Sequence, residues 1–265
     1  MLQHPVRKII TDEIWSKLEK ALAVAKHSAA GAPGGMTDRE FLEAVLHLQR
    51  TGSPWRDLPT PLGYWHAVYM RFRRWEARGV WQRLWKNLQA EPFAGARGVL
   101  EDSTTVRAHP HAAGAQKKNG GDQALGRSRG GFSTKIHAAT LDENCAVALH
   151  LTAGQAHDGR QFETLYESLD PENVLEFAAL DRGYDADRIR ERLALDGIEP
   201  VIPPISSRCQ KLPYDKELYR GRNRVERFFN KLKQFRRMAT RYDKLAKTFC
   251  AALHLVAAFL ILRNS

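Results

Sequence analysis

A mixed α/β domain behind an all-helical, helix-turn-helix-like one is the fold class this 265-residue chain predicts. Three observations predict it. Before residue 90, and again near the C-terminal end, apolar residues recur at steps of three and four, the period of amphipathic helices. Between residues 99 and 204, short apolar runs alternate with helical stretches, as in a sheet covered by helices. The stretch EPFAGARG at 91–98 separates the two regimes and sets the boundary between residues 1–95 and 96–265.

The helical part opens at Thr11, which caps a helix with Asp12 and Glu13 in its first turn and the stripe Ile14, Trp15, Leu18 and Leu22. A small-residue loop at 28–36 follows. Thr37-Asp38-Arg39-Glu40 is a capping box, and it starts a second helix through Phe41, Val45 and Leu48 that Gly52 should stop. A third helix at 64–78 has Trp65, Val68, Phe72 and Trp75 on one face and His66, Arg71, Arg73, Arg74 and Arg78 on the other. Two helices, the second basic, suit a helix-turn-helix module. A small bundle with a solvated arginine face fits the same pattern.

Strand signals begin with Val99-Leu100 leading into Glu101-Asp102-Ser103-Thr104-Thr105-Val106. The runs at 131–141 and 146–151 read as a strand pair turning at 142–144, with a helix expected at 158–169. Phe177-Ala178-Ala179-Leu180 is a short apolar run ending in Asp181, as a buried central strand would be. A helix at 185–195 and a proline-shortened strand at 199–204 follow. Five strands result. The stretch 218–237 then reads as one long helix, with Val225, Phe228, Leu232, Phe235, Ala239 and Tyr242 buried, and Tyr219, Arg222, Glu226 and Lys233 along another ridge.

Charge narrows the function. Residues 206–247 hold 14 Lys and Arg against 4 Asp and Glu, a net +10 in a chain of net +11. A polyanion is the natural partner of such a segment, which turns the basic third helix toward DNA as well. A carboxylate inside a phosphate-binding surface repels phosphate unless a cation bridges them, so Glu226 is a candidate metal ligand. Asp102 and Asp181 each end an apolar strand, where a sheet delivers side chains to a shared edge. Three such acids make an oxygen cage for a hard divalent cation. The apolar run at 249–262 is too short to span a bilayer and carries His254. Residues 1–15 lack a signal-peptide core, and Cys145, Cys209 and Cys250 show no zinc-like spacing. A reducing, cytoplasmic setting is expected.

The spacing Tyr219-x2-Arg222-x3-Glu226-x6-Lys233 resembles the Y-R-E-K signature of bacterial insertion-sequence transposases with a DDE active site. Asp181-Arg182-Gly183-Tyr184 resembles the motif around their second acid, with Arg182 where Lys is commoner, and Asp102-Ser103-Thr104 the segment around their first. The loop at 126–131, the stretch Gly154-Gln155-Ala156-His157-Asp158 and Trp55-Arg56-Asp57-Leu58-Pro59 resemble the IS-five group, so the likeness spans nearly the whole chain. It implies a ribonuclease-H-like domain holding two Mg2+ ions, with Mn2+ substituting, on Asp102, Asp181 and Glu226. It further implies binding of an element's inverted repeats, hydrolysis at its ends, and transfer of the 3′ ends to target DNA by at least a dimer at the nucleoid. Arg222 and Lys233 would contact phosphate near the cut, and Tyr219 would support the helix entrance or the strand. Arg71, Arg74, Arg127, Arg129, Lys135, Arg236 and Arg237 are further candidates to contact the double-stranded DNA, as are Lys117 and Lys118. A metal-dependent nuclease without strand transfer and a non-catalytic DNA-binding repressor are the alternatives. Asp158 is read as a helix cap and Asp185 as an acid pointing away from the site.

Overall fold

The computed structural model describes residues 7–26, 35–113, 122–128, 130–169 and 175–263. Its first helix, α1 (Asp12–Lys26), carries the expected acids in its first turn. In α2 (Asp38–Thr51) the capping box forms in both directions: Thr37 Oγ1 accepts from the Glu40 N–H, and Glu40 Oε2 accepts from the Thr37 N–H. Gly52 ends the helix at φ +79°, a left-handed turn that glycine adopts without strain. Two 3-10 turns, Trp55–Asp57 and Thr60–Leu62, intervene before α3 (Trp65–Ala77). The connection is therefore longer than the three- or four-residue turn of a helix-turn-helix. The helices α4 (Val80–Asn87) and α5 (Ala90–Ala94) complete this part.

A sheet follows, made of β1 (Gly98–Ala108), then after α6 (Pro110–Ala113) β2 (Gly126–Ser128), β3 (Gly131–Thr140) and β4 (Ala146–Ala153). Beyond α7 (Phe162–Tyr166) come β5 (Phe177–Leu180), α8 (Asp187–Leu195) and β6 (Glu199–Val201). The chain ends with α9 (Lys216–Arg220), α10 (Asn223–Lys233), α11 (Arg236–Ala239), β7 (Thr240–Arg241) and α12 (Ala246–Leu262).

The five expected strands lie in the order β4-β3-β1-β5-β6, with β3 antiparallel to both neighbours and β5 and β6 parallel to β1. This is a mixed, ribonuclease-H-like sheet. Two short strands make seven where five were expected: β2 folds back on β3, and β7 pairs with the far end of β1. At three and two residues they are too short to show a period of two. All four residues of β5 are buried, as befits a strand covered on both faces. Pro200 is tolerated because β6 is the sheet's edge. The β3–β4 turn is held by Asp142, whose carboxylate accepts from the N–H groups of Asn144 and Cys145.

The long basic helix expected at 218–237 is three pieces. Around Gly221 the bonding tightens to steps of three, from Arg222 N–H to the Tyr219 carbonyl and from Val225 N–H to the Arg222 carbonyl. Phe235 is extended, and the chain then turns into α11 and β7. The buried set is accordingly Val225, Phe228, Phe229, Leu232, Phe235 and Met238, with Arg241 and not Tyr242 fully inside. The expected helix at 158–169 is a 3-10 turn, Asp158–Arg160, followed by the short α7.

Nearly every residue of α12 is buried. It packs on α1, α2, α3 and α4 on one side and on α10 and β4 on another, so a single apolar cluster runs through helices and sheet. Trp85 marks the junction: its ring stacks on His254 at 4.9 Å, and its indole N–H donates to the Ala146 carbonyl at 3.0 Å.

Candidate active site

Asp102 lies midway along β1, opposite Ala138 of β3. The parallel register between β1 and β5 ends with Glu101 beside Leu180, so Asp181, the next residue, emerges level with Asp102. Each aspartate is oriented by the backbone just after it. The Ser103 N–H donates to Asp102 Oδ1 at 2.8 Å, and the Gly183 N–H donates to Asp181 Oδ1 at 2.6 Å. That second bond makes Asp181 the cap of the 3-10 turn Arg182–Tyr184.

Glu226 comes from the first turn of α10, which crosses β1 and β3. Its side chain is 60% exposed, while Asp102's is only 19% exposed. Arg222 bridges the two. Its Nη2 lies 2.7 Å from Asp102 Oδ2 and its Nη1 3.5 Å from Glu226 Oε1. Burial raises the Asp102 carboxyl above its ordinary pKa. Arg222 and the Ser103 N–H oppose that rise, and the negative charges of Asp181 and Glu226 add to it. The three acids thus form one electrostatic group.

Two more signature residues lie on the same ground. Lys233 Nζ donates to Thr104 Oγ1 at 2.6 Å, two residues along β1 from Asp102 and on the same face. Burial lowers the pKa of its ammonium. Tyr219, half-buried, meets Tyr214 edge-on at 5.5 Å and lies near enough to Asp181 for that charge to raise its phenol pKa, with burial the larger cause.

Among the described residues no three Asp, Glu, His or Cys side chains close around one point. The donors themselves are right for a hard divalent cation: carboxylate oxygens only, with the charges of Asp181 and Glu226 close enough to destabilise that of Asp102.

The other cations divide into two groups. Arg74 and Arg236 are exposed, as is Arg127, whose guanidinium lies over the Phe132 ring at 5.4 Å. Arg71, Lys135 and Arg237 are not free surface charges, contrary to expectation. Arg71 pairs with Asp38, donates to the Met36 carbonyl and lies over the Phe41 ring at 4.4 Å, tying α3 to α2. Arg237 is buried, donates to the Ser53 carbonyl at 3.0 Å and pairs with Asp243 at 3.1 Å. Lys135 donates to the Ala156 carbonyl at 2.7 Å and pairs with Asp158 at 3.1 Å. Lys117, Lys118 and Arg129 lie outside the described residues.

Asp158 does not cap a helix. Its Oδ1 accepts from Ser103 Oγ–H at 2.7 Å and from Lys135, with His137 Nδ1 at 3.5 Å. Burial pushes His137 down to about 4, so that ring is neutral near pH 7. These partners lie 21 to 55 residues from Asp158, so nothing within the stretch Gly154 to Asp158 announces them. Asp185 points elsewhere as expected: burial raises its pKa, but Ile205 N–H, Arg208 and Arg190 together lower it below the ordinary value.

A family model described as a transposase DDE domain matches residues 94–261, and one described as a putative transposase of the IS4/5 family matches residues 10–85. A putative transposase for insertion sequence element IS6501 of Brucella ovis is 30% identical over half of this chain and all of its own. An insertion element IS402 protein of Burkholderia cepacia is 34% identical over 46% of this chain and 85% of its own. A crystal structure of a pre-cleavage Mos1 transpososome aligns over 90% of this chain and 88% of that one at 11% identity and TM-score 0.28, too loosely to inform the fold.

Proposed function

The chain belongs to the transposase DDE domain family, a DNA-cleaving transposase that depends on divalent metal, and we propose that Asp102, Asp181 and Glu226 are its catalytic acids. The observation that carries the assignment is the Arg222 bridge between Asp102 and Glu226, with Asp181 level on the neighbouring strand. These three carboxylates would hold two Mg2+ ions, replaceable by Mn2+. Bound there, the ions would supply Lewis-acid stabilisation to the attacking and leaving oxygens.

The protein's own groups do the rest. Arg222 and Lys233 bind the phosphate oxygens beside the cut, and Tyr219 supports the strand. Water attacks the phosphorus at the element's end, forming one P–O bond and breaking the one to the 3′ oxygen, which leaves a 3′ hydroxyl and a 5′ phosphate. That hydroxyl attacks a phosphorus of target DNA, forming one P–O bond and releasing the target's own 3′ oxygen. No protein nucleophile is needed. Residues 1–95 form the unit that reads the inverted repeats, with Arg74 among its contacts, while Arg127 and Arg236 extend the grip on double-stranded DNA. Two ends must meet, so the working assembly on DNA is at least a dimer, at the nucleoid in the cytoplasm.

Two reactions with the protein test this. With intact ends the wild type should cut in Mg2+, and with pre-cut ends it should join them to target DNA. Glu226→Gln should bind the same DNA undiminished and do neither. Cutting without joining would reduce the protein to a nuclease, and cutting by Glu226→Gln would remove the acid assignment.

A further inference from the structure

Two backbone N–H groups aim the two aspartates, that of Ser103 at Asp102 and that of Gly183 at Asp181. One short segment touches both of the turns that carry them. Asp158 accepts the Ser103 hydroxyl at 2.7 Å. The next residue, Gly159, backs onto the other turn so closely that a Cβ there would lie 3.0 Å from the Gly183 carbonyl oxygen. Lys135 of β3 and Arg188 of α8 fasten the segment from either side, the first at Asp158 Oδ1 and the second at the Gly159 carbonyl.

We propose that Asp158 is a positioning residue for the metal-holding acids, fixing through Ser103 the carboxylate of Asp102 and through the Gly159–Gly183 contact its offset from Asp181. The assignment rests on the acid reading above and adds to it a group that touches neither metal nor DNA. The chemistry is that of an outer-shell partner: a charged acceptor locks the neighbour that orients a ligand, and its loss costs metal affinity about 10–100-fold. Asp158 is suited to this because its own charge is matched by Lys135, which leaves it free to hold Ser103 without drawing on the cation.

The test measures Mn2+ alone binding to the full-length protein, by electron paramagnetic resonance, alongside end cleavage in a single turnover. Asp158→Ala and Ser103→Ala should each weaken Mn2+ binding at least about tenfold and slow cleavage, with circular dichroism and affinity for end DNA unchanged. Asp158→Asn, which keeps an acceptor for Ser103, should recover part of the loss. That recovery is what a merely structural role would not produce. If Asp158→Ala fails to fold, Ser103→Ala decides: weakened Mn2+ binding supports the proposal and wild-type binding overturns it. Asp102→Asn separates the two layers. Lost Mn2+ binding there beside wild-type binding in Ser103→Ala overturns only the role of Asp158. Retained Mn2+ binding in Asp102→Asn overturns the acid assignment, and this proposal with it.

Discussion

Glu101 precedes Asp102 on β1, so its side chain faces the opposite side of the sheet. It is fully buried, and neither of its carboxylate oxygens meets a hydrogen-bond donor among the described residues. Burial pushes its pKa from 4.5 up to about 8, with the charge of Glu163 adding, so the folded protein carries this acid protonated at neutral pH. The folded pKa exceeds the unfolded one, so its contribution to stability is whole below about 4.5 and is lost as pH rises to about 8. Glu101→Gln, neutral at every pH, should remove that part of the decline in melting temperature between those limits. An unchanged pH profile in the variant would mean that Glu101 is solvated or paired. At this scale the sequence is informative where a motif names a candidate, as with Asp102, Asp181 and Glu226, whose catalytic role is the proposal made above. It was read poorly where a charge is matched at long range. Nothing near Arg71 in the chain announces Asp38, 33 residues earlier, and nothing near Arg237 announces the Ser53 carbonyl, 184 residues away.

Arg236 and Arg237 are neighbours with opposite fates, and α11 is the reason. A helix continuing from α10 would have kept both on its basic ridge. Instead Phe235 extends, Met238 takes the buried place expected of Ala239, and Arg237 turns inward to Asp243. Arg237→Ala should therefore cost stability, about 3–5 kcal/mol because it strands a buried Asp243, with DNA affinity of the folded protein unchanged. Arg236→Ala should leave urea unfolding as it is, weaken DNA binding and lower its salt slope by about one. The reverse pattern would return this stretch to the continuous helix. The break was not legible from apolar spacing, because Val225, Phe228, Leu232 and Phe235 fit a straight helix as well as the real one. The pairing of β7 with β1, which draws the chain out, is a tertiary event. By contrast the capping box of α2 and the Asp142 turn were legible, since each is made entirely by residues within three positions of one another.

Across the whole molecule, apolar burial and charge are arranged around α12 and α10. The apolar run at 249–262 does not announce the helix shared by the N-terminal helices and the sheet, because hydrophobicity on every side names no particular neighbour. That shared core fixes α10 over β1, which brings Glu226 from a basic, exposed ridge to the place where the middle of β1 and the end of β5 set Asp102 and Asp181 level with one another. The central claim is that these three acids, far apart in sequence, share metal. It is tested most directly by loading the protein, bound to a pre-cut DNA end, with Fe2+ and triggering local cleavage of the polypeptide with ascorbate and peroxide. Backbone cuts clustered near residues 102, 181 and 226, and suppressed by excess Mg2+, are the predicted result. Cuts at one or two of these positions only, or spread elsewhere along the chain, would contradict it.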